Sequence, residues 1–328
     1  MSYNKPWKDA ADQLKILSSR GLIIEDEERA LACLARIGYY RLSGYWFAFR
    51  ERSEPACLYP KQGKRPEKTQ KIALDSFKSG ASFQNAVDLY VFDKQLRLLA
   101  MDALERIEVA IRVDISHMLG EFDRFAYLRP DLFHPKFTEE FGTKTGTTLH
   151  HDWLGNHARL VNRSREEFVE HNKTKYGLPL AIWVACEVWD FGTMSKLFDG
   201  MREQDQDKIA LKYGIRNGRT FATWLRSLGY LRNVCAHHSR LWNRNMVSQP
   251  KLPSNEDVEW VSHFQNYTHG QSRCYMLLVM TRHLIDIINP NSSWKTRVQQ
   301  HLASFPDLAH LGLNLKGMGA VDGWDGFE

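Results

Sequence analysis

No stretch of this chain approaches the ~20 consecutive apolar residues that a membrane-spanning helix needs, so no spanning segment is read. The first twenty residues, MSYNKPWKDAADQLKILSSR, lack the apolar core of a secretion signal. Cysteine is scarce. Cys33, Cys57, Cys186, Cys235 and Cys274 are odd in number and widely scattered. That argues against a disulfide framework or a CxxC metal site, and for free thiols in a reducing cytoplasm. There is no Walker loop, GxGxxG, GxSxG or HExxH, so the common nucleotide, serine-hydrolase and zincin signatures are excluded. No period of 20 to 50 residues indicates repeats. No useful run of period-2 alternation is present, which leaves room for a small hairpin at most.

One further absence is local. From Lys208 to Asn255 there is no Asp or Glu, while Lys208, Lys212, Arg216, Arg219, Arg226, Arg232, Arg240, Arg244 and Lys251 all fall inside. The formal net charge of +5 is concentrated here. Within this window lies Leu231-Arg232-Asn233-Val234-Cys235-Ala236-His237-His238-Ser239-Arg240-Leu241-Trp242-Asn243-Arg244, an Arg-Asn-x-x-x-His core with a second histidine. A cationic surface attracts a polyanion, and imidazole is the side chain that ordinarily titrates near neutral pH. That combination suits phosphodiester chemistry.

What is abundant is helical periodicity. A hydrophobic content of 43% with 12% aromatics describes a well-packed globular chain. Its fold class reads as all-α, a multi-helix bundle. Asp9 to Ser19 forms a helix stopped at Gly21. Asp26 caps a second, with Ala30, Leu31, Leu34 and Ile37 on one face and Gly38 at its end. Tyr39 to Phe47 reads as an aromatic, turn-containing segment, and 53–72 as a lysine-rich loop broken by prolines. Ser82 to about Leu119 is one long periodic segment, kinked or divided. Gly120 to Thr148 is irregular. Helices follow at about 150–172 and 180–190, then shorter ones punctuated by Gly192, Gly200 and Gly214. One or two helices cover 219–245, and others lie near 255–288 and 293–304. The glycine-rich tail after Gly312 reads as poorly ordered. Three regions are expected: 1–80, helical and aromatic with the loop; 81–250, the helical core carrying the motif; and 251–328, a helical extension.

Each candidate for chemistry has a structural reading beside it. On a continuous helix Arg232 and His237 are separated by about 500°, or roughly 140° net. They therefore do not share a face, whereas Asn233 and His237 do, with Arg240 continuing the stripe. One helix does not aim Arg232 and His237 at one phosphate; the same helix from two copies does. The functional reading makes His237 the acid/base at a ribose 2′-OH, Arg232 the stabiliser of the transition-state charge and Asn233 a phosphate ligand. The structural reading is a helix with a satisfied histidine and surface arginines. Arg112 to His117 repeats the spacing among acids, and Arg112 is expected to pair Glu108. His150, His151 and His157 suggest a metal, but a capped helix start near Thr148 accounts for them as well. Tyr39, Tyr40, Arg41, Tyr45 and Trp46 either stack on bases or pack against helices.

A family resemblance then emerges from ordered blocks. They are Arg20-Gly21-Leu22-Ile23, Ile37-Gly38-Tyr39-Tyr40-Arg41-Leu42-Ser43-Gly44-Tyr45, Phe92-Asp93 with Leu96-Arg97, and Glu105-Arg106-Ile107-Glu108 with Arg112. Phe191-Gly192-Thr193, Trp224-Leu225 and Arg232-Asn233 with Cys235 to Asn243 follow. Together, over about residues 5 to 250, they resemble the Abi-like (AbiD/AbiF) abortive-infection family of bacterial phage defence, itself similar to the HEPN superfamily. The resemblance implies an all-helical, metal-independent endoribonuclease with no cofactor, working as a homodimer through the motif helix. It places Arg232, Asn233 and His237 in the catalytic set, with His238, which also meets the looser spacing. It further implies restraint by a cognate small noncoding RNA. Arg240, Arg244, Arg226, Tyr40 and Arg41 are the expected supporting or RNA-binding residues. Two other readings stay open: an RNA-binding module without turnover, and a nucleotidyl transferase toxin or metal hydrolase.

Overall fold

The computed structural model describes residues 4, 6–55, 71–142 and 146–327. Two compact units divide the chain. Residues 1–96 and 300–317 form the first, and 97–299 with 318–328 the second. The all-α expectation holds, with one two-stranded sheet among the described residues.

The first unit begins with α1 (Ala10–Ser19) and α2 (Glu27–Ile37). Both start on an aspartate cap: Asp9 accepts from the Asp12 N–H at 2.8 Å and Asp26 from the Arg29 N–H at 2.9 Å. Leu14, Leu17, Ala30 and Leu34 are buried at i, i+3, i+4 spacing. Gly21 and Gly38, at φ 89° and 90°, end these helices in a backbone conformation that only glycine adopts cheaply. The aromatic segment is not a turn. It is a helix, α3 (Tyr39–Trp46), followed by a 3₁₀ turn over Phe47–Phe49. Leu42, Tyr45, Trp46 and Phe49 bury completely at helical spacing, so core burial overrides the weak helix propensity of a Tyr- and Gly-rich run. The small hairpin exists: β1 (Arg50–Arg52) pairs antiparallel with β2 (Ala73–Phe77). Residues 56–70, most of the expected loop, lie outside the described residues.

The long periodic segment is one uninterrupted helix, α4 (Phe83–Gly120), neither kinked by Pro nor divided. Ser82 and Asn85 exchange side-chain to backbone hydrogen bonds at its start, at 3.0 and 3.2 Å. Its first part belongs to the first unit and the remainder to the second. The C-terminal segment closes the first unit: His301 stacks on Phe92 at 4.3 Å, and Lys78 Nζ donates to the Leu311 carbonyl at 2.6 Å.

In the second unit α4 is followed by short 3₁₀ turns and α5 (Pro135–Thr138), then α6 (Leu149–Arg163) and α7 (Glu167–Tyr176). The single helix expected at 150–172 is thus two, separated at Ser164, Arg165 and Glu166. Next come α8 (Ile182–Ala185), α9 (Phe191–Gly200), α10 (Glu203–Lys212), α11 (Gly218–Ala236), α12 (Thr268–Gln271), α13 (Cys274–Ile288) and α14 (Trp294–Ala303). Gly192 lies inside α9 and does not break it. The stretch expected to be helical from 255 holds only a 3₁₀ turn, Glu259–His263, before α12. Gly200 and Gly218 mark close approaches. A Cβ at Gly200 would fall 2.5 Å from the Phe137 ring, and one at Gly218 2.4 Å from Gln206 Cβ.

The tail is ordered, contrary to its glycine content. Trp324 stacks on His263 at 4.1 Å, and Phe327 is fully buried against Tyr275 and Trp294. Two aromatic anchors outweigh the conformational freedom of five glycines. Among the described residues, no helix is long and apolar enough to cross a membrane.

α6 carries His150, His151 and His157. His157 Nδ1 accepts from Trp189 Nε1 at 3.0 Å and its ring stacks on Trp153. His150 Nε2 meets the Tyr127 carbonyl at 2.8 Å. Both are core histidines, and burial pushes the His157 imidazole down to about 4. Between that value and the ordinary 6.5 the unfolded chain binds a proton that the folded chain does not. Stability therefore falls as the pH drops through this window, by about 3 kcal/mol when the drop is complete. Urea midpoints should fall between pH 7 and pH 4.5, and His157→Gln, which keeps an acceptor for Trp189, should flatten that dependence.

Candidate functional site

α11 carries the motif, and its sequence explains its placement. Asn217 Oδ1 accepts from the Thr220 N–H at 2.8 Å and caps the start. Phe221, Ala222, Trp224, Leu225, Leu228, Leu231, Val234 and Cys235 are all buried, so the helix is covered on most of its circumference. What faces out is a narrow stripe at alternating spacings of four and three: Arg219, Thr223, Arg226, Tyr230, Asn233 and His237. Arg219, Arg226, Asn233 and His237 are exposed, and Thr223 and Tyr230 are half-buried.

The helix ends inside the motif, at Ala236, not near residue 245. His237 still follows it, donating its N–H to the Asn233 carbonyl at 3.0 Å. His238 then turns left-handed at φ 53°. Its N–H reaches the Cys235 carbonyl and the Ser239 N–H the Val234 carbonyl, both at 3.0 Å. This is the paired closure that ordinarily places glycine where His238 stands. Arg240 therefore does not continue the Asn233–His237 stripe; the chain has reversed before it. Leu241 and Trp242, both buried, pin the segment after the turn. Arg244 Nε donates to Tyr230 Oη at 3.1 Å, which brings Arg244 back onto the stripe.

Arg232 faces elsewhere. It is half-buried on the side of α4, where Glu108 sits only 8% exposed. Burial pushes the Glu108 carboxyl up, against the pull first of Arg112 and then of Arg232, while Asp190 raises it further. Arg112 pairs Glu108 as expected and also donates to the Trp189 carbonyl. Glu108 went unnoticed as a neighbour of the motif because only the fold brings it there. The divergence of Arg232 and His237 agrees with the roughly 140° inferred from spacing.

The acid-free window is not an unbroken cationic surface. Acids meet many of its bases: Lys212 to Asp114 at 2.6 Å, Arg216 to Asp257 at 2.9 Å, Arg226 to Asp199 at 3.1 Å and Arg219 to Glu203 come from other elements, and Lys208 to Asp205 at 3.6 Å lies within α10. A sequence window cannot show partners that are distant in sequence. Arg226, Arg244, Asn233 and His237 share the stripe of α11, with His238 exposed at its end. Tyr40 and Arg41, the aromatic-segment candidates, lie on α3 in the first unit, both exposed. Tyr230 was missed, although its spacing of four from Arg226 and three from Asn233 marks it. Among the described residues, no group of three or more His, Cys, Asp or Glu is placed to hold a metal.

An all-helical unit presenting a polar, partly cationic helix stripe around an Arg-Asn-x-x-x-His motif defines the class. The chain belongs to the Abi-like protein family, whose profile matches residues 32–243, from α2 to just beyond the motif. No curated protein and no solved structure matches it.

The left-handed turn at His238 makes a specific prediction. His238→Gly and His238→Val both remove the imidazole, but valine is strained at positive φ. The valine variant should be less stable than the glycine variant by about 1–2 kcal/mol in urea unfolding. Equal stabilities would mean that the turn is not formed in solution.

Proposed function

We propose that this protein is a metal-independent endoribonuclease of bacterial phage defence, with its site at the end of α11. The family supplies the abortive-infection setting. The observation that carries the chemistry is the helix end itself: Asn233 and His237 exposed on one stripe, with Arg232 one position before Asn233 and His238 exposed beyond the helix. His237 acts as acid/base at a ribose 2′-OH, and Asn233 hydrogen-bonds the phosphate. Arg232 stabilises the extra charge of the transition state. No metal enters this mechanism, because the nucleophile is internal to RNA. Since Arg232 and His237 diverge, the complete site is assembled from two copies of α11, each giving one half. A cognate small noncoding RNA restrains the enzyme in this reading.

A second reading is an RNA-binding protein without turnover. Its support is the buried Glu108, whose carboxyl feels the charge of the half-buried Arg232.

Labelled single-stranded RNA incubated with purified protein in EDTA separates the two. The ribonuclease reading expects cleavage by wild type, reduced at least 100-fold in Arg232→Ala and His237→Ala. RNA bound tightly but never cut would favour the binding protein, and activity lost on adding EDTA would move the assignment to a metal hydrolase.

A further inference from the structure

The stripe on α11 does not begin at the motif. Its upstream half, Arg219, Thr223 and Arg226, forms one wall of a groove of about 560 Å³ within the second unit. α5, α6 and α9 supply the opposite side, and Lys136, Lys196 and Lys251 stand around it, all exposed. Lys251 is fixed there by its backbone: its N–H donates to Thr223 Oγ1 at 2.9 Å, and its carbonyl accepts from Trp224 Nε1 at 3.0 Å. Among the described residues none of the three lysines has a carboxylate within ion-pairing distance. Asp152, Asp199 and Glu203 also line the groove. Asp152 is held by Thr147 Oγ1, and the other two pair Arg226 and Arg219 in exposed ion pairs of the kind worth little to stability. A phosphate can take over those arginines at small cost.

We propose that this groove binds the sugar-phosphate backbone of single-stranded RNA and leads it along α11 to the motif. The proposal rests on RNA being the ligand of the site. From Arg219 to His237 the stripe rises about 27 Å, at 1.5 Å per residue, long enough to track several consecutive phosphates. Its character suits a backbone and not a base reader: spaced cations, the hydroxyl of Tyr230 and one amide at Asn233. Affinity should therefore be salt-dependent and tolerant of sequence. Strand polarity and register then come from the groove, and the cut from the motif.

The test is equilibrium binding of a short fluorescein-labelled oligouridine to the full chain carrying His237→Ala, which prevents consumption of the probe. The comparison is the same chain with Lys136→Glu, Lys196→Glu and Lys251→Glu added. All three lysines are exposed, and a circular dichroism melt confirms that the variant is folded. The expected result is at least a tenfold loss of affinity. The slope of log K against log salt should also become shallower by about 2, since each single-strand phosphate contact contributes ~0.7. Unchanged affinity and slope would overturn the proposal. So would an equal loss from reversing Lys8, Lys15 and Lys94, three exposed lysines outside the groove, because the effect would then be net charge alone. The readout is independent of catalysis. A wild type that never cuts RNA, beside a groove variant that fails to bind it, leaves the groove standing and removes the ribonuclease; cutting and binding that ignore the groove do the reverse.

Discussion

Helix α11 is surrounded by protein on every side but one, and that constraint decides which of its residues can meet a ligand. Of its eight buried apolar and aromatic side chains, the large ones each contribute on the order of 1.5–3 kcal/mol of transfer free energy. They leave no freedom for the helix to rotate. Gly218 lets α10 approach its start, and a Cβ at Gly229 would stand 3.1 Å from the Phe191 ring of α9. The stripe from Arg219 to His237 is what remains. A rotation of one residue, about 100°, would bury Asn233 and expose Val234. The site is thus a consequence of packing, and its precision comes from a rigid element and not from a loop.

The same packing sets the electrostatics. Acids on α4, α9 and α10 and near the 3₁₀ turn at Glu259 meet most of the bases that the acid-free window contains. What survives as positive surface is smaller and better defined than a charge count suggests. Glu108 adds a tension of another kind. It is a buried carboxyl paired with Arg112 and within the field of Arg232, and a buried acid of this kind depends on its cations far more than an exposed one. The turn at His238 closes the helix just beyond Arg232.

Much of this was legible from residue order. The helical class, the cap at Asp26 and the stops at Gly21 and Gly38 all follow from local rules that the fold obeys. The Arg112–Glu108 pair is local too, four residues apart on one helix. The misreadings share a cause. Tyr39 to Trp46 looked like a turn because it holds tyrosines and a glycine, yet three of its side chains are core. The tail looked loose because of its glycines, yet Trp324 and Phe327 find pockets that no local pattern announces. The motif helix was read too long because no glycine marks its end; a histidine occupies the position where glycine is usual. In the candidate site, the shared exposed face of Asn233 and His237 follows from their spacing of four. Glu108, Lys136 and Lys196 do not follow from it, because they come from other elements, Glu108 more than a hundred residues before Arg232.

The chemistry of the product ends tests the role of His237 most directly. If the 2′-OH attacks the adjacent phosphate with His237 moving the proton, mass spectrometry of the cleaved RNA will find 2′,3′-cyclic phosphate and 5′-hydroxyl termini, with or without EDTA. Products ending in 3′-hydroxyl and 5′-phosphate, or RNA lengthened by added nucleotides, would contradict it.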